Sequence, residues 1–130
     1  FIGRVNIFKA RVVERGLDNG YGMIYIETGD NIPIKCKIPS HVKDVCSAII
    51  RANEIRITSE PAKYKENVIV GTVSEISFRG QIIDIRLTLP NENTLTISTH
   101  RFDETVFNAI KVGETAYAYV DPQAIILTND

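Results

Sequence analysis

Short runs of β-branched and aromatic residues, punctuated by Gly, Pro, Asn and Asp, set the rhythm of this chain and favour strands over helices. The first half reads as a meander. Val5 to Val13 leads to a turn at Asn19-Gly20, then Tyr21 to Glu27, a second turn at Gly29-Asp30-Asn31, and Ile32 to Ile38. In that third run Ile32, Ile34, Cys36 and Ile38 alternate with Pro33, Lys35 and Lys37, so one face is buried and the other meets water. Pro33 cannot donate to a sheet ladder, which places it near a strand start or at an edge.

The second half repeats the theme with Val68 to Ser77, Gln81 to Leu89 and Thr94 to Ser98, connected by Arg79-Gly80 and by Pro90 to Asn93. Ile83, Ile85, Leu87 and Leu89 again keep a period of two. Arg101 to Ile110 is the one segment with helical character: Asp103 can cap a short turn that buries Val106, Phe107 and Ile110. Lys111 to Glu114 then turns the chain into Thr115 to Val120. Asp121-Pro122 forces another turn before Ala124 to Thr128.

The two halves resemble each other at fixed offsets, as duplicated structural units do. Ala48 to Thr58 aligns with Ala118 to Thr128 at a constant offset of 70, and Asn6 to Glu14 aligns with Asn67 to Glu75 at an offset of 61. The second copy therefore carries an insertion, expected around Arg101 to Ile110. The fold class that follows is all-β: two tandem OB-like Greek-key barrels of about five strands each, with at most one short helix in the second. Residues 1–60 form the first barrel and 61–130 the second, with Ser59 to Glu66 as the exposed connection.

Composition narrows the function. A chain of 130 residues with 44% hydrophobic and 24% charged side chains can bury its own core. The formal net charge is −1, with basic side chains scattered among acidic ones, which argues against nucleic acid unless a local patch hides inside the neutral total. Cys36 and Cys46 lie outside any C-x-x-C spacing, and His41 and His100 do not complete a zinc set, so both thiols are expected to be reduced and buried and no metal is expected. No apolar run reaches the roughly 20 residues that span a bilayer. A start at Phe1 in place of Met points to a fragment of a longer chain.

The motifs carry a resemblance that covers nearly the whole chain. Phe1 to Phe8 resembles the F-[IV]-G-x-x-N-x-[FL] stretch that follows the nucleotide-binding domain of ABC-importer ATPases. Ile49 to Ile55 is similar to their G-I-R-P-E-D-I segment, with Ala52, Asn53 and Glu54 departing from it. Asn67 to Val73 looks like the N-x-x-x-G-x-V opening of TOBE domains, which include molybdate-binding modules. Lys111 to Ala118 with Asp121 to Ile125 resembles their close. The resemblance implies a non-catalytic regulatory and dimerisation module of an importer's ATP-binding subunit. Such a module would contact a second copy of itself in the ATPase dimer and the nucleotide-binding domain of its own chain. It would meet the membrane permease subunits only indirectly, at the cytoplasmic face of the membrane. It would carry no cofactor, and the chain has no G-x-x-x-x-G-K-[ST] loop.

Two alternatives stay open: a tandem oxyanion-binding protein for molybdate or tungstate, and an OB-type nucleic-acid-binding module. Relatives hold the oxyanion with an S-A-R-N start and a lysine in the final turn, and here Glu66 and Asp121 stand at the two cationic positions. Two carboxylates repel a dianion. A second candidate location is Thr99, His100 and Arg101 at a strand end, with Arg79 as a further cation. Tyr21, Tyr25, Phe78, Tyr117 and Tyr119 are the candidate stacking platforms. No catalytic set is readable, because no carboxylate, serine or cysteine has a base at activating spacing.

Overall fold

The computed structural model describes residues 4–16, 18–100 and 108–129. Ten strands build two five-stranded antiparallel sheets. They are β1 (Val5–Glu14), β2 (Tyr21–Thr28), β3 (Asp30–Lys37), β4 (Val45–Arg51) and β5 (Ile55–Thr58), then β6 (Val68–Arg79), β7 (Ile82–Thr88), β8 (Thr94–His100), β9 (Thr115–Val120) and β10 (Ile125–Thr128). The all-β reading holds, and the eight strands read from alternation are found, with Val45–Arg51 and Ile55–Thr58 in addition. Alternation is the cause: Phe8, Ala10 and Val12, then Ile24 and Ile26, then Ile34 and Cys36 turn inward in the first unit, and Ile83, Ile85, Leu87, Leu95 and Ile97 do so in the second. Each fully buried isoleucine or leucine contributes about 1.5–3 kcal/mol over its exposed state.

The strand order within the sheets is β10-β4-β1-β2-β3 and β5-β9-β6-β7-β8. Each half of the chain, 1–60 and 61–130, keeps four strands in one sheet and sends its fifth to the other. Ile57 of β5 lies opposite Ala118, and Leu127 of β10 lies opposite Ala48. The 3₁₀ turns Ala52–Glu54 and Pro122–Ala124 redirect the chain across, so the two units hold each other by exchanged strands.

The repeat extends to irregularities. A bulge between Val12 and Glu14 in the β1–β2 pair recurs between Val73 and Glu75 in the β6–β7 pair. Beside it Val12 N–H donates to Asp44 O and Val73 N–H donates to Glu114 O. Bulges re-aim a strand and tighten its twist, which closes small barrels. The extra length is divided between two places. Ile26 faces Ile32 but Leu87 faces Leu95, so part of it lies in the β7–β8 connection, and the rest lies between β8 and β9. Most of the helical segment expected at Arg101 to Ile110 lies outside the described residues, while Ile110 within them is buried.

Strands β3 and β8 are edges, and each is closed by an asparagine from the other unit. Asn6 donates to Thr96 O at 2.9 Å and accepts from Thr96 N–H at 2.8 Å. Asn67 donates to Lys35 O and accepts from Lys35 N–H, both at 2.8 Å. The amide supplies the donor and acceptor that a neighbouring strand would have offered. Pro33, on β3, stands on an edge strand as its chemistry requires.

Candidate functional site

The outer face of β6, β7 and β8 carries the densest polar cluster among the described residues. Three cross-strand rows build it. Glu75 lies opposite Arg86 and Arg86 opposite Thr96; Ser77 opposite Asp84 and Asp84 opposite Ser98; Arg79 opposite Ile82 and Ile82 opposite His100. The β6 bulge sets this register, since it shifts Glu75, Ser77 and Arg79 onto the face away from the core.

Asp84 is the hub. Only 7% of it is exposed, and its carboxylate accepts from Arg79 Nε at 2.9 Å, Arg79 Nη2 at 3.3 Å, Ser98 Oγ at 2.6 Å and Arg4 Nε at 3.2 Å. Burial alone would raise the Asp84 pKa, but the bonds from Arg79 and Ser98 and the charges of Arg79 and Arg4 outweigh it. The carboxyl is therefore held below its ordinary range. Asp84 in turn raises the Arg79 guanidinium through the same hydrogen bond. Arg86 pairs with Glu75 at 3.1 Å.

Arg4, Glu75, Ser77, Asp84, Ile85, Arg86 and Thr96 line a cavity of about 60 Å³ at this cluster. Three guanidinium groups face two carboxylates, leaving one net positive charge, and each guanidinium keeps N–H donors beyond those used on Asp84 or Glu75. The arrangement can hold a small anion by charge-assisted hydrogen bonds.

The residues singled out in the sequence divide. Arg79 lies in the cluster, and His100 shares its cross-strand row on the far side of Ile82. Thr99 does not: it lies opposite Ile83 and turns toward the core side, because adjacent strand residues face opposite ways. Arg101 lies outside the described residues. Arg4, Asp84 and Ser98 were missed. Asp84 and Ser98 are polar residues at buried strand positions, a signal that pairing alone would have raised, but Arg4 is 80 positions away from its partner.

Near Glu66 and Asp121 two aromatic rings meet. Tyr64 stacks on Tyr119 with ring centroids 4.3 Å apart and planes 10° from parallel. The Tyr119 phenol is raised by burial first and then by Asp121, Tyr64 and Glu66, with Arg56 opposing. The two carboxylates read from the sequence, Glu66 and Asp121, both act on this ring, with Arg56 and, over Tyr64, Lys63 as the nearby cations. No group of three or more His, Cys, Asp or Glu suited to a metal ion occurs among the described residues. Among them, no helix is long and apolar enough to cross a membrane.

Fold and site together define a tandem OB-like β-barrel protein with an arginine-rich polar face. The TOBE domain family model matches residues 48–127, and the chain belongs to that family. Among solved structures, the cytoplasmic molybdate-binding protein ModG, in a molybdate-bound crystal form, shares the fold with a TM-score of 0.79 and 20% identity. The alignment covers 100% of this chain and 99% of that one. A sequence search of curated proteins found no match.

Proposed function

We propose that this chain is a non-catalytic binding module whose ligand is a small oxyanion of the molybdate, tungstate or sulfate kind, held on the outer face of β6, β7 and β8. The observation that carries it is the convergence of Arg4 and Arg86 with Ser77 and Thr96 on one small cavity, while Arg79 is paired to the Asp84 carboxylate that lines it, so that the cluster as a whole holds three guanidinium groups and two carboxylates. Its 60 Å³ exceeds the roughly 30 Å³ that one water occupies and falls far below the roughly 300–1,000 Å³ of pockets for larger organic ligands. The molybdate bound by ModG, on the same fold, supports the ligand class. Glu66 and Asp121, both close to Tyr119, speak against an anion at that end of the barrel. Titration calorimetry with molybdate, tungstate and sulfate tests it. One anion bound per chain with micromolar affinity, lost in Arg86→Met, is expected. Absence of heat with all three anions refutes the reading.

A second reading is the regulatory and dimerisation module of an importer ATPase, and one feature favours it. Ile7, Ile49 and Ile126 form a cross-strand apolar row on the outer face of β1, β4 and β10, with Ile7 63% and Ile126 41% exposed. The corresponding row of the second unit, Val68, Tyr119 and Arg56, is roofed by Tyr64. A second copy would cover the bare row. Sedimentation equilibrium of the wild type and of Ile7→Asp separates a dimer that dissolves on substitution from a monomer throughout.

A further inference from the structure

The total charge of −1 conceals a basic face on the first unit. On the outer face of β1, β2 and β3, Lys37 lies opposite Tyr21, Lys35 opposite Met23, and Pro33 opposite Tyr25, which in turn lies opposite Arg11. Lys9 extends the row along β1, two residues before Arg11 on the same side of the strand. The acids on this face are Glu14 and Glu27, so four cations meet two carboxylates.

The aromatic component is interleaved with the charge. Arg11 lies over the Tyr25 ring with its guanidinium carbon 5.8 Å from the centroid. Tyr21 and Tyr25 are partly exposed, share one side of β2 and stand about 13 Å apart at roughly 3.3 Å per residue. Rings aligned along a strand with cations on the flanking strands are what an extended polyanion with flat bases requires. The cations track phosphates, and the rings accept bases without regard to sequence. Tyr119, by contrast, is covered by Tyr64, with Glu66 and Asp121 as well as Arg56 beside it and Lys63 over the Tyr64 ring.

We propose that the outer face of β1, β2 and β3 binds single-stranded nucleic acid, with bases stacked on Tyr21 and Tyr25 and phosphates on Lys9, Arg11, Lys35 and Lys37. This surface is separate from the arginine cluster of the second unit and does not depend on the oxyanion reading.

Fluorescence anisotropy of the full chain with labelled dT12 and rU12 tests it, a length within the roughly 4–16 nucleotides one OB fold engages. The expected Kd lies between about 1 and 100 μM at low salt. The log–log salt slope should be about −2 to −3, from about −0.7 per phosphate neutralised. Tyr21→Ala and Tyr25→Ala should each weaken binding about tenfold, while Tyr25→Phe and Phe78→Ala leave it unchanged. Lys9→Glu and Lys37→Glu, at exposed positions, should each flatten the slope by about 0.7 and keep the test alive should an alanine variant fail to fold. No anisotropy change with either strand up to about 200 μM protein overturns the proposal. So does binding that matches poly-glutamate and ignores both tyrosines, which would make the face a general polyanion surface.

Discussion

Asn6 and Asn67 perform the same task on opposite sheets. Each reaches out of its own unit to take the N–H and C=O of one residue on the other unit's edge strand, Thr96 for Asn6 and Lys35 for Asn67. Each also donates to an aligned carbonyl, Ile50 O and Val120 O, at the foot of β4 and β9. Duplication of one unit, followed by exchange of the last strands, accounts for both. The pair explains how two small open barrels cap each other's edges.

Replacing either amide strands the backbone groups it serves. Asn6→Ala and Asn67→Ala are each expected to destabilise by about 2–4 kcal/mol in urea denaturation, at the upper end for leaving several buried partners unpaired. Asn67 adopts φ 55°, so Asn67→Gly should be milder than Asn67→Ala, whereas at Asn6, on a regular strand, glycine should not be the milder change. Equal costs for the two substitutions at position 67 would contradict this.

Gly22 shows why one strand position tolerates no side chain. A Cβ there would run into the Glu14 carbonyl oxygen at the bulge and lie 2.6 Å from Ile38 Cδ1. Gly22→Ala is expected to cost about 3 kcal/mol, and Gly71→Ala, where the nearest atoms are 3.0 Å away, noticeably less. Thermal denaturation of the two variants checks the order.

Asp84 gives the pH dependence a sign. Its folded pKa is depressed, so its stabilisation is complete above the unfolded value near 3.9 and is lost as pH falls through the folded value. Asp84→Asn should cost about 1–3 kcal/mol at neutral pH and flatten the stability profile below pH 4. The same substitution frees Arg4 and Arg79 from their carboxylate and is expected to tighten oxyanion binding several-fold. Weaker binding in Asp84→Asn would mean that the carboxylate positions the arginines more than it competes for them.

Both cysteines are fully buried, and burial, with the neighbouring Cys46, pushes the Cys36 thiol up to about 12. Neither thiol should react with a disulfide reagent at pH 8 until the chain unfolds, when both should react together. Fast reaction in the native protein would contradict the packing.

Much of the fold was legible because its determinants are local. Alternation at Ile32, Ile34 and Cys36 or at Ile83, Ile85 and Leu87 identifies a strand without knowledge of its neighbours. The offsets of 61 and 70 expose the duplication for the same reason. Strand exchange was not legible: β5 and β10 carry the same apolar pattern, so either could satisfy either sheet, and only the two 3₁₀ turns decide. The site was half legible. Arg79 announced itself beside a turn, but its meaning depends on Asp84 five positions on and on Arg4 80 positions from Asp84. Thr99 and His100 are neighbours in sequence but face opposite sides of β8, and the neutral charge total hid the gathering of Lys9, Arg11, Lys35 and Lys37 on one outer face.

Crystals soaked in tungstate, with data collected at the tungsten absorption edge, test the central claim most directly. An anomalous peak is expected between the guanidinium groups of Arg4 and Arg86, beside Ser77 and Thr96, that disappears in Arg86→Met. A peak beside Tyr119, Glu66 and Asp121, or no peak in crystals that diffract well, would contradict it.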